Sequence, residues 1–321
     1  MKLYMEYSVE IYGIYLKYIA KEDIHVYSID EAFFDVTHYL SLYHLSAREL
    51  AKKITDDVFR STGITAATGI GTNLYLAKVA LDITAKHTED HIGYLNEELY
   101  QKHLWNHRPL TDFWRIGSGT VRRLNNVGIK TMGDIAHTDE DFLYQMFGID
   151  AELLIDHAWG RESATMEDIK AYKPQNSSLS SGQVLARDYS FEECRLIVKE
   201  MTDELCLNMA EKKAVTQSVS LMIGYSNALQ LKPSTGTTSM TVTTNAYSVI
   251  IPYVLALYER IAKKDKPIRR LSVSCSSLAE EDYEQYDLFT DHEAVERERK
   301  LQKAALEIKK KYGKNALVRG M

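Results

Sequence analysis

Hydrophobic residues recur along the chain either at helical spacing or in alternation, as in strands. The changes between these two patterns predict the order of helices and strands. Near the start, apolar residues recur three and four positions apart, which predicts a helix over residues 3–20. Residues 26–37, VYSIDEAFFDVT, are rich in β-branched and aromatic side chains. They predict two strands that turn at residues 28–32.

The next residues predict a helix, a strand and a third helix. The first of these helices is expected from Ser46 to Arg60, because Glu49 follows Ser46 at the spacing of a capping box. Residues 63–71, GITAATGIG, alternate like a strand and lead directly into a helix with Thr72 as its expected N-cap. Residues 95–170 predict a compact, all-helical region.

The second half of the chain follows a different order of elements. Residues 170–178 have the Pro, Asn and Ser content of a linker. A β-α-β-β-α-β pattern follows, which predicts an open sheet with two helices on one face. Its predicted elements are Leu179–Leu185, Phe191–Lys212, Thr216–Tyr225, Thr237–Thr243, Tyr247–Lys263 and Ile268–Cys275. A charged helix is expected at residues 292–312, with Gly313 as its C-cap signal.

Composition narrows the class of protein. With 321 residues and 45% hydrophobic content, two or three domains are expected. The net charge of −6 argues against a uniformly basic nucleic-acid binder but leaves room for local basic patches. Three distant cysteines suggest neither a disulfide framework nor a zinc site, and the most apolar run is too short to span a membrane. These features predict a cytoplasmic protein with no membrane segment.

The adjacent carboxylates Asp30 and Glu31 are the first candidate site. They lie at the centre of an otherwise apolar and β-branched stretch. Burying unpaired charge is costly unless cations or hydrogen-bond donors compensate for it. On spacing alone, a divalent-metal site and a solvated hairpin tip are equally good interpretations.

The segment GIGTN at residues 69–73 lies between a predicted strand and helix, as phosphate loops do. It lacks the Lys-Ser/Thr pair of a P-loop and the spacing of GxGxxG, so a tight turn that the glycines permit is the favoured interpretation, and phosphate binding is the alternative. Lys78 and Lys86 on the following helix are candidate phosphate contacts, although most lysines are solvated surface.

Residues 114–136, WRIGSGTVRRLNNVGIKTMGDIA, resemble a helix-hairpin-helix. Backbone N–H groups around Gly117 and Gly119 can hold a DNA phosphate without reading sequence. Arg122 and Arg123 follow on the next helix. A purely structural αα-hairpin is the alternative, because such turns often contain glycine.

Two further segments carry candidate binding residues. The basic cluster KKDKPIRR leads into the last predicted strand of the sheet and contributes Lys263, Lys264, Arg269 and Arg270. This cluster has two interpretations. It is either a contact surface for the phosphate backbone of DNA or a solvated charged face. The segment QYDLF combines a glutamine with a two-residue apolar anchor, namely Gln285, Leu288 and Phe289. It is either a short docking peptide or an ordinary surface segment that packs back on the body.

Together these segments resemble the Y-family (translesion) DNA polymerases, specifically their bacterial UmuC-like branch. YSIDEAFFDVT resembles that family's second carboxylate motif, GIGTNLYLAKVALDITAK its next motif, and QYDLF its clamp-binding peptide. The resemblance implies translesion synthesis and DNA repair, with the SOS response as the setting. It also implies two-metal nucleotidyl transfer, Mg²⁺ as cofactor, and primer-template DNA, a deoxynucleoside triphosphate and the sliding clamp as partners.

The resemblance also assigns residues and regions. Asp30 and Glu31 would be the catalytic metal ligands, and Lys86, with Lys78 as the weaker candidate, would reach the triphosphate. The implied fold is a multidomain α+β protein. Its parts would be an incomplete polymerase palm (1–95), a helical thumb with the helix-hairpin-helix (96–170), a linker (171–178), a β-α-β-β-α-β little finger (179–279) and a tail with the clamp peptide and a C-terminal helix (280–321).

One departure from the family pattern is large. The family carries another carboxylate on a first palm strand, followed by a fingers domain, and only 29 residues precede Asp30 here. Residues 1–29 hold no counterpart of either, so the chain alone is expected to be inactive or very weak. A non-catalytic damaged-DNA- and clamp-binding module remains the alternative. A nucleotide cyclase with a similar carboxylate pair would leave the thumb, little finger and docking peptide unexplained.

Overall fold

Two units, Met1–Tyr172 and Lys173–Met321, make up the chain in a computed structural model. The structure describes residues 2–174, 177–281, 292–313 and 316–317. Within these ranges, no helix is both long and apolar enough to cross a membrane.

The first unit combines helices with two small sheets. Strands β1 (Ile24–Val26) and β2 (Ala32–Phe34) pair antiparallel, and strands β3 (Thr68–Gly71) and β4 (Ile92–Leu95) pair parallel. The helices are α1 (Lys2–Tyr15), α2 (Thr37–Tyr43), α3 (Ala47–Thr62), α4 (Leu74–Val79), α5 (Glu97–Leu104), α6 (Ser118–Asn126), α7 (Met132–Ala136), α8 (Glu140–Phe147), α9 (Asp150–Trp159) and α10 (Met166–Ala171). The predicted helical region is confirmed from α5 to α10.

Local capping explains where these helices begin. The Ser46 side chain accepts from the Glu49 backbone N–H while the Glu49 side chain accepts from the Ser46 N–H, so the predicted capping box is confirmed. The prediction of Thr72 as the cap of α4 is wrong by one residue. Asn73 is the N-cap, and its Oδ1 accepts from the Leu76 N–H at 2.8 Å.

Glycines in β3 let the strand lie directly against α4. A Cβ on Gly69 would lie 2.0 Å from the Ala77 carbonyl oxygen, and one on Gly71 would lie 2.1 Å from the Ala77 backbone nitrogen. Real Cβ atoms do not approach backbone so closely. The glycines of the GIGTN motif are therefore explained by packing between strand and helix.

Side chains from α4 and α5 hold the end of α9. Their donors bond to carbonyls of the last turn of α9 and of its C-cap, Gly160. The bonds are Tyr100 Oη to the His157 carbonyl (2.9 Å), Trp105 Nε1 to the Ala158 carbonyl (2.8 Å) and Asn73 Nδ2 to the Gly160 carbonyl (2.9 Å). Helix α4, which carries Lys78, is thus fixed against both β3 and the end of α9.

The second unit is built on an antiparallel sheet. Its elements are β5 (Leu179–Tyr189), α11 (Phe191–Glu211), β6 (Ala214–Tyr225), β7 (Ser234–Thr244), α12 (Tyr247–Ile261), β8 (Ile268–Ser276) and β9 (Ala279–Glu280). The strand order is β5-β8-β6-β7, with β9 paired to β6. Buried residues of α11 and α12 form one core with alternate positions of the strands. The predicted β-α-β-β-α-β order is confirmed.

Helix α13 (His292–Tyr312) has the predicted bounds and packs on the second unit. Its Glu298 carboxylate accepts from the Ser248 backbone N–H and hydroxyl at the start of α12. This supplies an acceptor where the N-cap, Ala246, has none. Gln302 Nε2 donates to the Asn245 carbonyl oxygen at 3.2 Å.

Candidate active site and nucleic-acid surfaces

The two candidate catalytic carboxylates lie in the turn between β1 and β2, as predicted. The Glu31 carbonyl oxygen accepts from the Tyr27 N–H at 3.0 Å and the Ser28 N–H at 3.1 Å, which closes the turn. The Ser28 hydroxyl donates to Asp30 Oδ1 at 2.5 Å. Asp30 is exposed and Glu31 is half-buried.

Lys78 binds Glu31 rather than facing solvent. Its Nζ lies 3.0 Å from Glu31 Oε1 and 2.9 Å from Asp82 Oδ1, and only 7% of the residue is exposed. Burial lowers the pKa of Lys78, but hydrogen bonds to Asp82 and Glu31 raise it, and the net shift is upward. Lys78 therefore stays an ammonium whose donors are directed at carboxylates. In this geometry Lys78 contacts Glu31 and Asp82, and its contact with a nucleotide stays a prediction.

The helix geometry places Asp82 beside Lys78. The two residues are four apart, the spacing at which side chains meet on one helix face. Helix α4 continues into a π-helical turn at Ala80–Thr84, which contains Asp82. Single π-turns within helices occur frequently at functional sites.

Strands β1 and β2 with their connecting turn, which carries Asp30 and Glu31, form what we call the acidic hairpin, and this hairpin fits a hard divalent cation. Asp30 and Glu31 offer carboxylate oxygens, the ligands that Mg²⁺ prefers. Lys78 occupies Oε1 of Glu31, and in the described ranges Oε2 makes no hydrogen bond. Those ranges contain no group of three His, Cys, Asp or Glu side chains that could hold a metal. The site is thus a pair of carboxylates with one oxygen fixed and the others available.

Lys86, the other candidate for the triphosphate, occupies a different environment. It lies in a short 3₁₀ turn, Ala85–His87, and its side chain is exposed. Unlike Lys78, it makes no ion pair in the part of the chain that the structure describes. Its ammonium is therefore available to a ligand.

An aromatic cluster joins the acidic hairpin to the helical region. Trp114 Nε1 donates to the Tyr27 hydroxyl at 3.0 Å, and the Phe33 ring lies 5.7 Å from Tyr27 and 5.9 Å from Trp114. The Arg115 guanidinium lies 5.0 Å from the centre of the Trp114 ring, and Arg115 has a left-handed φ of 67°. Sequence reasoning missed this cluster. The available signal was the position of Tyr27 and Phe33 on either side of the carboxylate turn, together with Trp114 next to Arg115.

The predicted helix-hairpin-helix has an open helix N-terminus. Gly117 is the N-cap of α6 and provides no side-chain acceptor, and a Cβ on Gly119 would meet nothing within 4 Å. The first N–H groups of α6 are therefore open to an anion. Arg122 is exposed, whereas the Arg123 guanidinium lies 4.3 Å from the centre of the Phe147 ring.

The four candidate DNA-binding residues of the second unit differ in the side chains that they contact. Lys264 Nζ lies 2.8 Å from Glu259, and Arg269 lies 3.8 Å from Asp188. Lys263 Nζ lies over the Tyr225 ring at 5.5 Å. Arg270 is exposed and makes no ion pair among the described residues. It stands opposite Gly224 on β6 and Val184 on β5, so Arg270 is the member best placed to meet a phosphate.

The sheet surface around Arg270 is lined by hydroxyl groups. We call it the hydroxyl face. One row runs across all four strands through Ser180, Ser274, Ser220 and Thr237, and a second contains Ser276, Ser218 and Ser239. The Ser220 and Thr237 hydroxyls are 2.8 Å apart. Sequence reasoning missed this surface, although the alternating Ser and Thr of the strands carried the signal.

The predicted clamp-binding residues Gln285, Leu288 and Phe289 lie outside the described residues. Their two flanks are described. On one side, the Glu281 N–H donates to the Lys213 carbonyl oxygen at 2.9 Å. On the other side, α13 begins at His292, and Arg299 on that helix pairs with Glu281 at 2.8 Å.

Comparison with known proteins identifies the family. Residues 1–82 match the impB/mucB/samB family, and residues 176–288 match the impB/mucB/samB family C-terminal domain. The chain therefore belongs to this family, the Y-family DNA polymerases of translesion synthesis and DNA repair.

Individual relatives agree with this assignment. The chain is 31% identical to "Putative UV-damage repair protein UvrX" of Bacillus subtilis (strain 168), over 100% of this chain and 75% of UvrX. It is 28% identical to DNA polymerase IV 2 of the same organism, over 99% of this chain and 76% of that protein. The fold is similar to that of a Y-family DNA polymerase chimera of Dbh and Dpo4, with a TM-score of 0.65, 22% identity, and coverage of 87% of this chain and 77% of the chimera.

Proposed function

We propose that this chain supplies two metal ligands, Asp30 and Glu31, for Mg²⁺-dependent nucleotidyl transfer on primer-template DNA, and that the chain alone is inactive or very weak until a third carboxylate is added. The observation that carries the proposal is the acidic hairpin. Its turn fixes the Glu31 backbone, Lys78 fixes one Glu31 oxygen, and Asp30 stays exposed beside it. Two bound metal ions would activate the primer 3′-hydroxyl and stabilise the pyrophosphate leaving group. Single-nucleotide incorporation by the chain fused to a strand that bears an aspartate, with Asp30→Ala in the same fusion as the inactive variant, tests this function.

The substrates follow from the same residues. The exposed ammonium of Lys86 binds the triphosphate of the incoming deoxynucleotide, as a point charge suited to phosphate. The resemblance to the family calls for a third carboxylate in addition to Asp30 and Glu31, and an added strand that bears an aspartate would provide it. The side chains of Cys194, Cys206 and Cys275 are all buried, which agrees with work in a reducing cytoplasm.

The regions of the chain take separate roles in this proposal. Residues 1–95 form the palm, residues 96–170 the thumb, and residues 179–279 the little finger, joined by the linker at residues 171–178. The thumb holds a phosphate at the open N-terminus of α6, with Arg122 beside it. The little finger presents the hydroxyl face and Arg270 to the duplex, because short hydroxyl side chains let a backbone approach the sheet closely.

A second candidate function is a non-catalytic module that binds damaged DNA and the clamp. The observation in its favour is that the described residues supply a carboxylate pair and no group of three possible ligands. Such a module binds primer-template DNA as tightly as a polymerase does but incorporates no nucleotide in any context.

We expect Arg270→Glu to weaken DNA binding and flatten its salt dependence. Each neutralised phosphate contributes about 0.9 to the slope of log affinity against log salt. Arg270 is exposed without an ion pair in the described ranges, whereas Arg269 faces Asp188. Arg269→Glu should therefore have the smaller effect, and the double variant should resemble Arg270→Glu. Fluorescence anisotropy with a primer-template at several salt concentrations measures both quantities.

The control for this measurement is Arg187→Glu, which alters an exposed arginine already paired with Glu193 at 2.5 Å on the same unit. Its affinity should fall less than that of Arg270→Glu. DNA affinity that does not change with salt, or an Arg270→Glu variant that binds like the unmodified chain, would contradict the proposed interface.

We also expect a peptide of residues 281–291 to bind the bacterial sliding clamp. Gln285, Leu288 and Phe289 provide a polar contact and an apolar anchor in an otherwise acidic stretch. The peptide should compete with the full chain for the clamp, and the Leu288→Ala, Phe289→Ala peptide should not. Equal competition by both peptides would make the segment ordinary surface.

A further inference from the structure

We propose that Lys78 and Asp82 are positioning residues that fix the orientation of the Glu31 carboxylate and thereby set the affinity of the acidic hairpin for its divalent cation. The inference rests on the proposed function, because it takes Asp30 and Glu31 as the metal ligands. It assigns Lys78 to the carboxylate, in place of the nucleotide.

The first support is the geometry of the three side chains. Lys78 Nζ stands between Glu31 Oε1 at 3.0 Å and Asp82 Oδ1 at 2.9 Å. The Lys78 side chain is 8% exposed, whereas those of Glu31 and Asp82 are 32% and 30% exposed. The ammonium is thus enclosed, and the carboxylates on either side of it reach solvent. Because Lys78 takes one oxygen of Glu31, the second oxygen keeps a fixed direction for a cation.

The second support is the rigidity of the base on which Lys78 stands. Helix α4 lies against the glycines of β3 and begins at the Asn73 cap, which also bonds to the Gly160 carbonyl oxygen. Asp82 lies one turn further along the same helix and restrains the ammonium from its other side. Partners that orient a metal ligand in this way typically change metal affinity 10–100-fold when removed.

A purely electrostatic role for Lys78 makes different predictions. Lys78 carries a positive charge and Asp82 a negative one. If charge alone mattered, Lys78→Met would tighten cation binding, Asp82→Asn would weaken it, and the double variant would restore it, because the two charge changes cancel. If orientation matters, all three variants bind the cation more weakly, since each breaks the chain of contacts from Asp82 to Glu31.

The experiment is a titration of the full chain with Mn²⁺, in which electron paramagnetic resonance measures the free metal. The Mn²⁺ Kd of the Asp30→Asn variant should be higher than that of the unmodified chain. This difference establishes that the measured ion occupies the acidic hairpin. We expect Lys78→Met, Asp82→Asn and the double variant each to raise the Kd about tenfold or more. Circular dichroism checks that each variant is folded. If Lys78→Met does not fold, Asp82→Asn and the double variant still test the positioning role, because the double variant restores the affinity under the electrostatic alternative and weakens it under the proposal.

A matched pair provides the control. Lys17 and Asp57 form another Lys–Asp ion pair of the first unit at 3.3 Å. The Lys17→Met, Asp57→Asn double variant makes the same chemical changes and should leave the Mn²⁺ affinity unchanged. A Lys78→Met, Asp82→Asn variant with unmodified Mn²⁺ affinity overturns the positioning role alone. An unmodified chain whose Mn²⁺ binding is insensitive to Asp30→Asn overturns the metal site and this inference with it.

Discussion

The purified 321-residue chain should incorporate a nucleotide undetectably or very slowly, and a fusion that adds a strand bearing an aspartate ahead of Met1 should restore incorporation. The described residues contribute the carboxylates of Asp30 and Glu31 without a third member. Catalysis of this kind depends on charged groups that are held in place before the reaction begins, and removing one such group typically costs about 100-fold or more in rate. Single-nucleotide extension of a labelled primer measures the effect.

Asp30→Ala in the fusion should abolish the restored activity. Asp56→Ala is the matched control, because Asp56 is an exposed aspartate of helix α3, outside the acidic hairpin. Its rate should equal that of the unmodified fusion. Rapid incorporation by the chain alone that Asp30→Ala removes would show that two carboxylates suffice. A fusion that binds DNA but never incorporates would favour the non-catalytic module.

Periodicity predicted most of the fold because local pattern and tertiary structure agree along most of this chain. The elements of the second unit and α13 appear within a few residues of their predicted bounds, since their alternation and capping signals are strong. The predicted strand over residues 63–71 shrinks to Thr68–Gly71. Pairing with β4 begins only at Thr68, so the preceding residues gain no ladder hydrogen bonds.

The candidate site was predicted in part, and the missing part depends on contacts between distant residues. The turn that carries Asp30 and Glu31 could be predicted from the sequence, because the two charges interrupt an apolar stretch. The pairing of Lys78 with Glu31 joins residues 47 positions apart, and no local pattern indicates it. The same holds for the bond between Trp114 and Tyr27, 87 positions apart. Sequence alone therefore placed Lys78 on the correct helix but did not indicate its contact with Glu31.

The glycines of β3 connect the fold to the site, and Gly71→Ala should destabilise the first unit by about 3 kcal/mol or more. The added Cβ would meet the Ala77 backbone nitrogen at 2.1 Å, and backbone cannot move aside as a flexible side chain can. Helix α4 would have to shift away from the strand, and Lys78 would shift with it. All three tryptophans, Trp105, Trp114 and Trp159, lie in the first unit, so tryptophan fluorescence during urea unfolding reports on that unit alone.

Gly13→Ala is the matched control for this substitution. Gly13 lies in helix α1, and a Cβ there would meet nothing within 4 Å. Alanine at that position should therefore stabilise the unit by roughly 0.5–1 kcal/mol, the usual gain of replacing glycine inside a helix. The two variants make the same chemical change with opposite expected signs. If Gly71→Ala unfolds at the urea concentration of the unmodified chain, the glycines are not required for packing and a phosphate-binding role for GIGTN becomes the better explanation.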